Sequence, residues 1–331
     1  MVKRWFAYVA GAALLFGAPA FGAGSDMFKG KTITYIVATS PGGGYDTYGR
    51  LIARYMQRHL PGSRIVVKNV PGAGNIIGAN TIYAAKPDGL TIGMFNTGLI
   101  YDQLIKRNGV QFDLAKFSWI GKAAYETRAV LISRASGLKS FDEMLRAKGP
   151  IKFAASGVGA ASYHDTRILA DALHLNVQIV NGFTGNEGEM SMLRGEVAAQ
   201  VGTIDSFEQF VKSGHGYWAL ALSGTPEALP GVPRVDRYLK DERGRKLIAL
   251  LQGLSEMGRL TAGPPNIPAD VLAVERQALT ETMTDPAFLA DAKKLALPID
   301  FLPGDVVATK MNTILNQPPE TVEALKRAAG G

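Results

Sequence analysis

Two glycine-rich stretches have the residue types and spacing with which a protein backbone can bind an anion. The first, SPGGGYD, runs from Ser40 to Asp46 and follows a β-branched segment. The second, SGVGAAS, runs from Ser156 to Ser162 and follows another. Glycines at a strand-to-helix turn permit positive φ and close approach of a ligand, and the helix start offers unpaired N–H donors. Each stretch predicts an anion-binding loop, with a simple tight turn as the alternative.

Neither stretch has a nucleotide-binding fingerprint. Counted from Gly42, the G-x-G-x-x-G pattern requires glycine where Thr47 stands, and in the second stretch Ser162 replaces the third glycine. The acid that would bind a ribose at the end of the next strand is replaced by Lys68 and Asn69. No Gly-Lys-Ser/Thr follows, which excludes a P-loop.

Other catalytic constellations are incomplete. Ser162, His164 and Asp165 suggest a hydrolase triad, but residues two apart on a helix do not face each other. The chain has no G-x-S-x-G, no H-x-x-x-H pair and no cysteine. We therefore predict no catalytic residue, no metal ion and no cofactor, and a protein that is not an enzyme. The alternative of this class is an exported hydrolase using Asp46, Asp205 or His164.

The elements that must position these loops are predicted from periodicity. Apolar, β-rich runs alternate with helix-period segments, which indicates an α/β fold with mostly parallel sheets flanked by helices. The predicted strands are Thr32–Ala38, Arg64–Lys68, Thr91–Phe95, Ser118–Ala123, Ala129–Ser133, Lys152–Ala155, Val177–Val180, Ala198–Thr203 and Trp218–Leu222. Ligands of open α/β sheets lie beyond the carboxyl ends of the strands. Two facing lobes would bring both loops to one cleft, which suits a small carboxylate held by backbone N–H groups and enclosed by hinge closure.

The domain organisation follows from the N-terminus and from weak composition switches. Residues 1–24 contain Lys3 and Arg4, an apolar run and small residues, as in a cleavable signal peptide. We predict a first lobe from 25–124 and 226–285, a second lobe from 125–225, and C-terminal helices in 286–331 that pack across or back onto the lobes.

Composition limits the compartment and the partners. The 331 residues are 47% hydrophobic and 20% charged, with a net charge of +7 and no basic run interleaved with aromatic residues. This profile indicates a folded protein that does not bind nucleic acid. Without cysteine the chain cannot be a lipoprotein. We expect a periplasmic monomer.

Longer segments resemble a known family. VATSPGGGYDTYGRLIARYM, VVKNVPGAGNIIGANTIYAAKPDGLTIGMFNTG and SGVGAASYH resemble the Bug-type extracytoplasmic receptors, the substrate-binding proteins of tripartite tricarboxylate transporters. GFTGNEGEMSMLRGEV and TAGPPNIPADVLAVERQAL continue the resemblance over nearly the whole mature chain. The resemblance implies a two-lobed Venus flytrap that captures a di- or tricarboxylic, aromatic or amino acid and delivers it to integral-membrane permease subunits. A carboxylate-sensing receptor for a signalling partner is the alternative.

The resemblance also implies which residues contact the ligand. The candidates in the loops are Ser40, Pro41, Gly42, Gly43, Gly44, Tyr45, Asp46, Ser156, Gly157, Val158, Gly159, Ala160 and Ser162. The candidates in the cleft walls, after later strands, are Asn96, Thr97, Thr184 and Asp205. Asp205 could select an amino or hydroxyl group of the ligand, or could cap the helix that follows it. The charged segment 234–246 departs from the family pattern.

Overall fold

The computed structural model describes residues 25–183 and 186–329, so the predicted signal peptide and Thr184 lie outside the described residues. The strands in chain order are β1 (Thr32–Val37), β2 (Arg64–Asn69), β3 (Thr91–Phe95), β4 (Ser118–Ala124), β5 (Arg128–Ser133), β6 (Ile151–Ala155), β7 (Val177–Asn181), β8 (Ala199–Thr203), β9 (Gly216–Ala221), β10 (Gly258–Gly263) and β11 (Leu302–Pro303). The helices are α1 (Gly44–Met56), α2 (Ile76–Tyr83), α3 (Gly98–Leu104), α4 (Phe141–Leu145), α5 (Ala161–Leu173), α6 (Glu187–Leu193), α7 (Ile204–Lys212), α8 (Glu242–Ser255), α9 (Ala269–Thr284), α10 (Pro286–Lys294), α11 (Gly304–Leu315) and α12 (Pro319–Ala329). Within these ranges, none of the helices combines the length and the apolar character that a membrane crossing requires.

The strands form two mixed sheets flanked by helices, and we call the layers built on them the first and second lobe. The first sheet has the order β11-β4-β10-β3-β1-β2, and the second has the order β7-β6-β8-β5-β9. Strands β1 to β4 share one direction, with β10 and β11 opposed to them. In the second sheet only β5, among the described strands, runs against the others. The predicted two-lobed α/β fold is confirmed, with mixed sheets: among the described strands, four of the nine pairings are parallel and five are antiparallel.

Parallel pairing sets the position of the glycine loops. β1 pairs in parallel with both β2 and β3, and β6 pairs in parallel with both β7 and β8. The loops that follow β1 and β6 therefore leave their sheets at the carboxyl edges, beside the ends of neighbouring strands.

Two short connections lead the described chain from one sheet's lobe to the other. Residues 125–127 connect β4 to β5, and residues 256–257 connect α8 to β10. The crossings are bonded directly, since the Glu126 N–H donates to the Ser255 carbonyl at 2.9 Å. Helix α8 packs on α5 of the second lobe, and α12 packs on both. The lobe boundaries remain a proposal, and this packing moves the proposed return to the first lobe from residue 226 to residues 256–257.

The hydrophobic core continues from one lobe into the other. One buried cluster contains Phe95 and Leu99 of the first lobe together with Phe153 and Ile168 of the second. A second cluster lies between the first sheet and its outer helices, where α1 buries Tyr48, among others. The shared cluster means that the lobes are packed against each other beside the hinge.

Glu275 of α9 is an acid within this packing. Its side chain is fully buried, and neither carboxyl oxygen has a hydrogen-bond partner in the described part of the chain. Burial, followed by the nearby charge of Asp88, raises the pKa of Glu275 well above its ordinary value. The folded protein therefore keeps a proton on Glu275 at a pH where the unfolded chain has released it.

We predict that the wild-type protein becomes less stable as pH rises, because folding requires Glu275 to keep its proton. Above the unfolded-state pKa of about 4.3, the free energy of unfolding should fall by up to about 1.4 kcal/mol per pH unit until the folded-state pKa is reached. Glu275→Gln should remove this slope, as measured by urea unfolding between pH 5 and pH 8. The exposed Glu242→Gln is the control and should keep the wild-type slope. Equal slopes for the wild type and E275Q would contradict a protonated Glu275.

Candidate functional site

A cleft of about 440 Å³ lies between the lobes and is bordered by both glycine loops. Helices α1 and α5, each of 13 residues, begin at these loops. Their first N–H groups have no partner within the helix, and the positive ends of their dipoles lie at the same cleft. This arrangement can bind a negatively charged group from both lobes at once.

Asp46 stabilises the conformation of the first loop through hydrogen bonds. Its carboxylate accepts hydrogen bonds from the Gly42 N–H at 3.0 Å, from Arg50 at 3.0 Å and from Asn69 at 2.9 Å. Burial alone would raise the pKa of Asp46, but these hydrogen bonds outweigh it and lower the pKa below its ordinary value. Gly42 has a φ of +90°, which favours glycine. Asp46 thus shapes the loop and does not line the cleft.

The glycines of the two loops have different roles. A Cβ added to Gly43 would meet no atom within 4 Å, and one added to Gly157 would meet only the Gly74 nitrogen, at 3.8 Å. By contrast, a Cβ on Gly44 would lie 2.5 Å from Ser206 Oγ, and one on Gly159 would lie 1.9 Å from Arg107 Nη1. Gly43 and Gly157 therefore leave space for a ligand, whereas Gly44 and Gly159 allow the protein to pack on itself.

A third loop, from Pro71 to Asn75, lines the cleft from the first lobe. A Cβ on Gly74 would lie 2.6 Å from the Val158 carbonyl oxygen and 2.8 Å from the Ala160 nitrogen. The backbones of the two lobes therefore touch across the mouth of the cleft, and the structure is a closed form.

Many of the predicted site residues come together here. Those that line the cleft are Ser40, Gly43, Gly44, Tyr45, Asn96, Ser156, Gly157, Val158, Ala160 and Ser162. Those that do not line it are Pro41, Gly42, Asp46, Thr97, Gly159 and Asp205. Thr184 is outside the described residues. Direct contact of these residues with a ligand remains a prediction.

Several lining residues were not identified from the sequence. Among them are Arg107, Arg128, Asn186, Glu189, Gln200, Val201, Gly202, Thr203, Ser206, Phe207 and the loop from Pro71 to Asn75. Only the loop carried a local signal, the run PGAGN, because it repeats the glycine spacing of the other two. Of the other residues in this set, Arg107 and Asn186 lie in loops, whereas the rest lie on β5, β8, α6 or α7 and reach the cleft only after the second lobe has formed.

A buried charge network lies under the cleft. Glu126 pairs with Arg128 and, at 3.2 Å, with Arg259. These three side chains are 1%, 3% and 1% exposed, respectively. Arg128 also pairs with Asp165, and Arg259 also pairs with Asp205. Since Glu126 and Arg128 flank the first crossing and Arg259 follows the second, the network joins the lobes at the hinge.

The pKa shifts of this network follow from mutual pairing. Burial would raise the pKa of Glu126, but the two guanidinium groups outweigh burial and lower it. Burial opposes the charge of Arg128 and Arg259, yet their acidic partners raise both pKa values. Asp165 differs, because burial prevails and raises its pKa. Glu126 is therefore held as a carboxylate between two cations.

Tyr45 connects the network to the first loop. Its hydroxyl donates to Glu126, and the Arg259 guanidinium stacks on its ring with the Cζ atom 3.9 Å from the centroid.

Asp205 lies in the first turn of α7 and pairs with Arg259. The sequence had left open whether Asp205 selects a ligand group or caps this helix. The N-cap of α7 is Thr203.

A second polar cluster lies behind the other loop. His164 Nε2 is 2.8 Å from Asp102 Oδ1, and Arg107 donates to the same oxygen at 3.2 Å. Ser162 Oγ accepts a hydrogen bond from the Ser156 N–H at 3.2 Å. His164 thus faces Asp102, while Ser162 orders its own loop, so the two do not form a base–nucleophile pair.

Comparison with protein families and known sequences identifies relatives of this chain. A model described as "Tripartite tricarboxylate transporter family receptor" matches residues 49–298. A UPF0065 protein from Pseudomonas sp. (strain P51) is 28% identical over 219 residues, which cover 63% of this chain and 64% of that one. A UPF0065 protein from Agrobacterium vitis is 26% identical over 269 residues, which cover 79% of this chain and 74% of that one.

Solved structures show the same fold. The periplasmic binding protein BugD matches with a TM-score of 0.73 at 22% identity, covering 90% of this chain and 97% of that chain. MatC from Rhodopseudomonas palustris, solved with bound malate, matches with a TM-score of 0.72 at 18% identity, covering 89% and 99%. A second R. palustris protein, solved with adipate, matches with a TM-score of 0.73 at 14% identity, covering 91% and 97%.

We predict that Asp205 stabilises the hinge. Asp205→Asn removes a charged partner from the buried Arg259 and should lower the free energy of unfolding by about 2–3 kcal/mol in urea titrations. The control is Asp270→Asn, because Asp270 is exposed and takes the same second position in α9 that Asp205 takes in α7. Loss of the helix-dipole interaction alone should cost this control under about 1 kcal/mol. Equal losses for the two variants would contradict a structural role of the Arg259 pair.

Proposed function

The chain belongs to the tripartite tricarboxylate transporter family of receptors, and from this premise we propose that it captures a small carboxylate in the cleft between its lobes. We further propose that it works in the periplasm as a monomer and delivers this ligand to the integral-membrane permease subunits of such a transporter. The family is one of solute-binding receptors, and the proposed role is binding without catalysis.

The convergence of two glycine loops on one cleft carries the proposal. A carboxylate presents two acceptor oxygens, and the N-termini of α1 and α5 supply donors from opposite lobes. Gly43 and Gly157 leave the space in which the oxygens can approach the backbone. Because the donors belong to different lobes, a bound carboxylate stabilises the closed form over the open one.

Two structural neighbours support the ligand class. MatC was solved with malate and the second R. palustris protein with adipate, and both ligands are small dicarboxylates. A cleft of about 440 Å³ is of the size that small-molecule sites have.

The contacts between the lobes support capture by closure. The Gly74 backbone touches the second loop, and Gly44 adjoins Ser206 at the start of α7. A ligand therefore enters and leaves only when these contacts open at the hinge of 125–127 and 256–257. In the proposed cycle, the permease subunits receive the ligand when they open the closed receptor.

We predict that filling the open space at either loop weakens binding. A Cβ at Gly43 meets no protein atom within 4 Å and one at Gly157 meets only the Gly74 nitrogen, so Gly43→Val and Gly157→Val should each weaken carboxylate binding by about tenfold or more without unfolding the protein. Thermal-shift titration with dicarboxylates, tricarboxylates, aromatic acids and acidic amino acids measures this, because a bound ligand raises the melting temperature.

The matched control is Gly149→Val, because Gly149 also has open space around its Cβ position and lies away from the cleft. This control should retain wild-type binding and a similar melting temperature. If no carboxylate stabilises the wild-type protein, or if both loop variants bind as the wild type does, the proposed function is wrong.

A further inference from the structure

An acidic side chain lies in the wall of the cleft. Glu189 of α6 is half-buried and lines the cleft from the second lobe. It makes neither a hydrogen bond nor an ion pair with another residue in 25–183 or 186–329. Burial raises the pKa of Glu189, and no neighbouring cation opposes that effect. A carboxylate in a ligand cleft without a partner of its own is available to a group of the ligand.

The basic residues that line the described cleft do not neutralise Glu189. They are Arg107, which pairs with Asp102 at 3.2 Å, and Arg128, which pairs with Glu126 and Asp165. A second carboxylate of a ligand placed beside Glu189 would meet a like charge. A protonated nitrogen placed there would meet a carboxylate.

We propose that the ligand is an amino-carboxylate, whose carboxylate lies at the two glycine loops and whose protonated nitrogen donates to Glu189. This inference rests on the proposed carboxylate function and specifies its substrate class. It separates the chain from receptors that hold a plain dicarboxylate, because the wall of the second lobe selects a cation.

Calorimetric titration of the mature chain tests the substrate class. The probes are amino acids of three to six carbons with the amino group at the α or ω carbon, each compared with the unsubstituted acid and the diacid of similar length. At least one amino acid should bind about 10- to 100-fold more tightly than both the unsubstituted acid and the diacid of similar length. The unsubstituted acid lacks the charged hydrogen bond to Glu189, and the diacid has a repulsion in its place.

One variant tests the residue. Glu189→Gln should weaken binding of that amino acid by about 10- to 100-fold and leave the unsubstituted acid nearly unchanged. The matched control is Glu208→Gln, which removes the same charge from α7 outside the cleft and should bind as the wild type does. Circular dichroism checks that each variant is folded.

The outcomes distinguish this inference from the proposed function. Binding of diacids with no preference for an amino acid, or an amino-acid affinity that E189Q leaves unchanged, would overturn the inference and leave carboxylate capture standing. If no acid of any class binds to the wild type, both are overturned.

Discussion

The pairing of Glu126 with two buried arginines is the interaction on which the closed two-lobed structure depends. Glu126 lies where the chain first crosses between the lobes, and it is bound by Arg128 and Arg259, which lie just after the first and the second crossing. A buried carboxylate without these cations would be strongly unfavourable, and so would either cation without it. Arg128 then orders Asp165 of α5, and Arg259 orders Asp205 of α7. Each lobe thus depends on charges contributed by the other.

This network also determines what the cleft can offer a ligand. The arginines beneath the cleft are occupied by acids of the protein, so a carboxylate ligand is left with the neutral N–H donors of the loops. Neutral donors carry a small free-energy cost when they are exposed in the open form. A buried cation without a partner would carry a large one whenever the cleft is empty. Glu189 is the exception, because its charge has no internal partner among the described residues and the ligand has to supply one.

Opening and closing act on the same contacts. The Gly74 backbone touches the second loop, and Gly44 adjoins Ser206, so each contact would clash if a side chain replaced the glycine hydrogen. The glycines therefore serve two purposes that the sequence alone cannot separate. Gly43 and Gly157 clear space for a ligand, and Gly44, Gly74 and Gly159 let the lobes meet. Only the neighbours of each glycine in the folded protein distinguish these purposes.

The sequence by itself determined the local elements and the two loops. The strands predicted from β-rich runs match β1 to β9 within two residues at either end, because period and turn chemistry act over a few neighbours. It missed β10, a central strand of the first sheet, since Gly258–Gly263 is short, contains Arg259 and follows a charged helix. The partners of the charge network were decided by tertiary structure alone: Arg259 and Glu126 are 133 residues apart, and Arg128 and Asp165 are 37 apart. No local pattern encodes such pairs, because only the packing of two lobes around one hinge makes their burial and their pairing necessary.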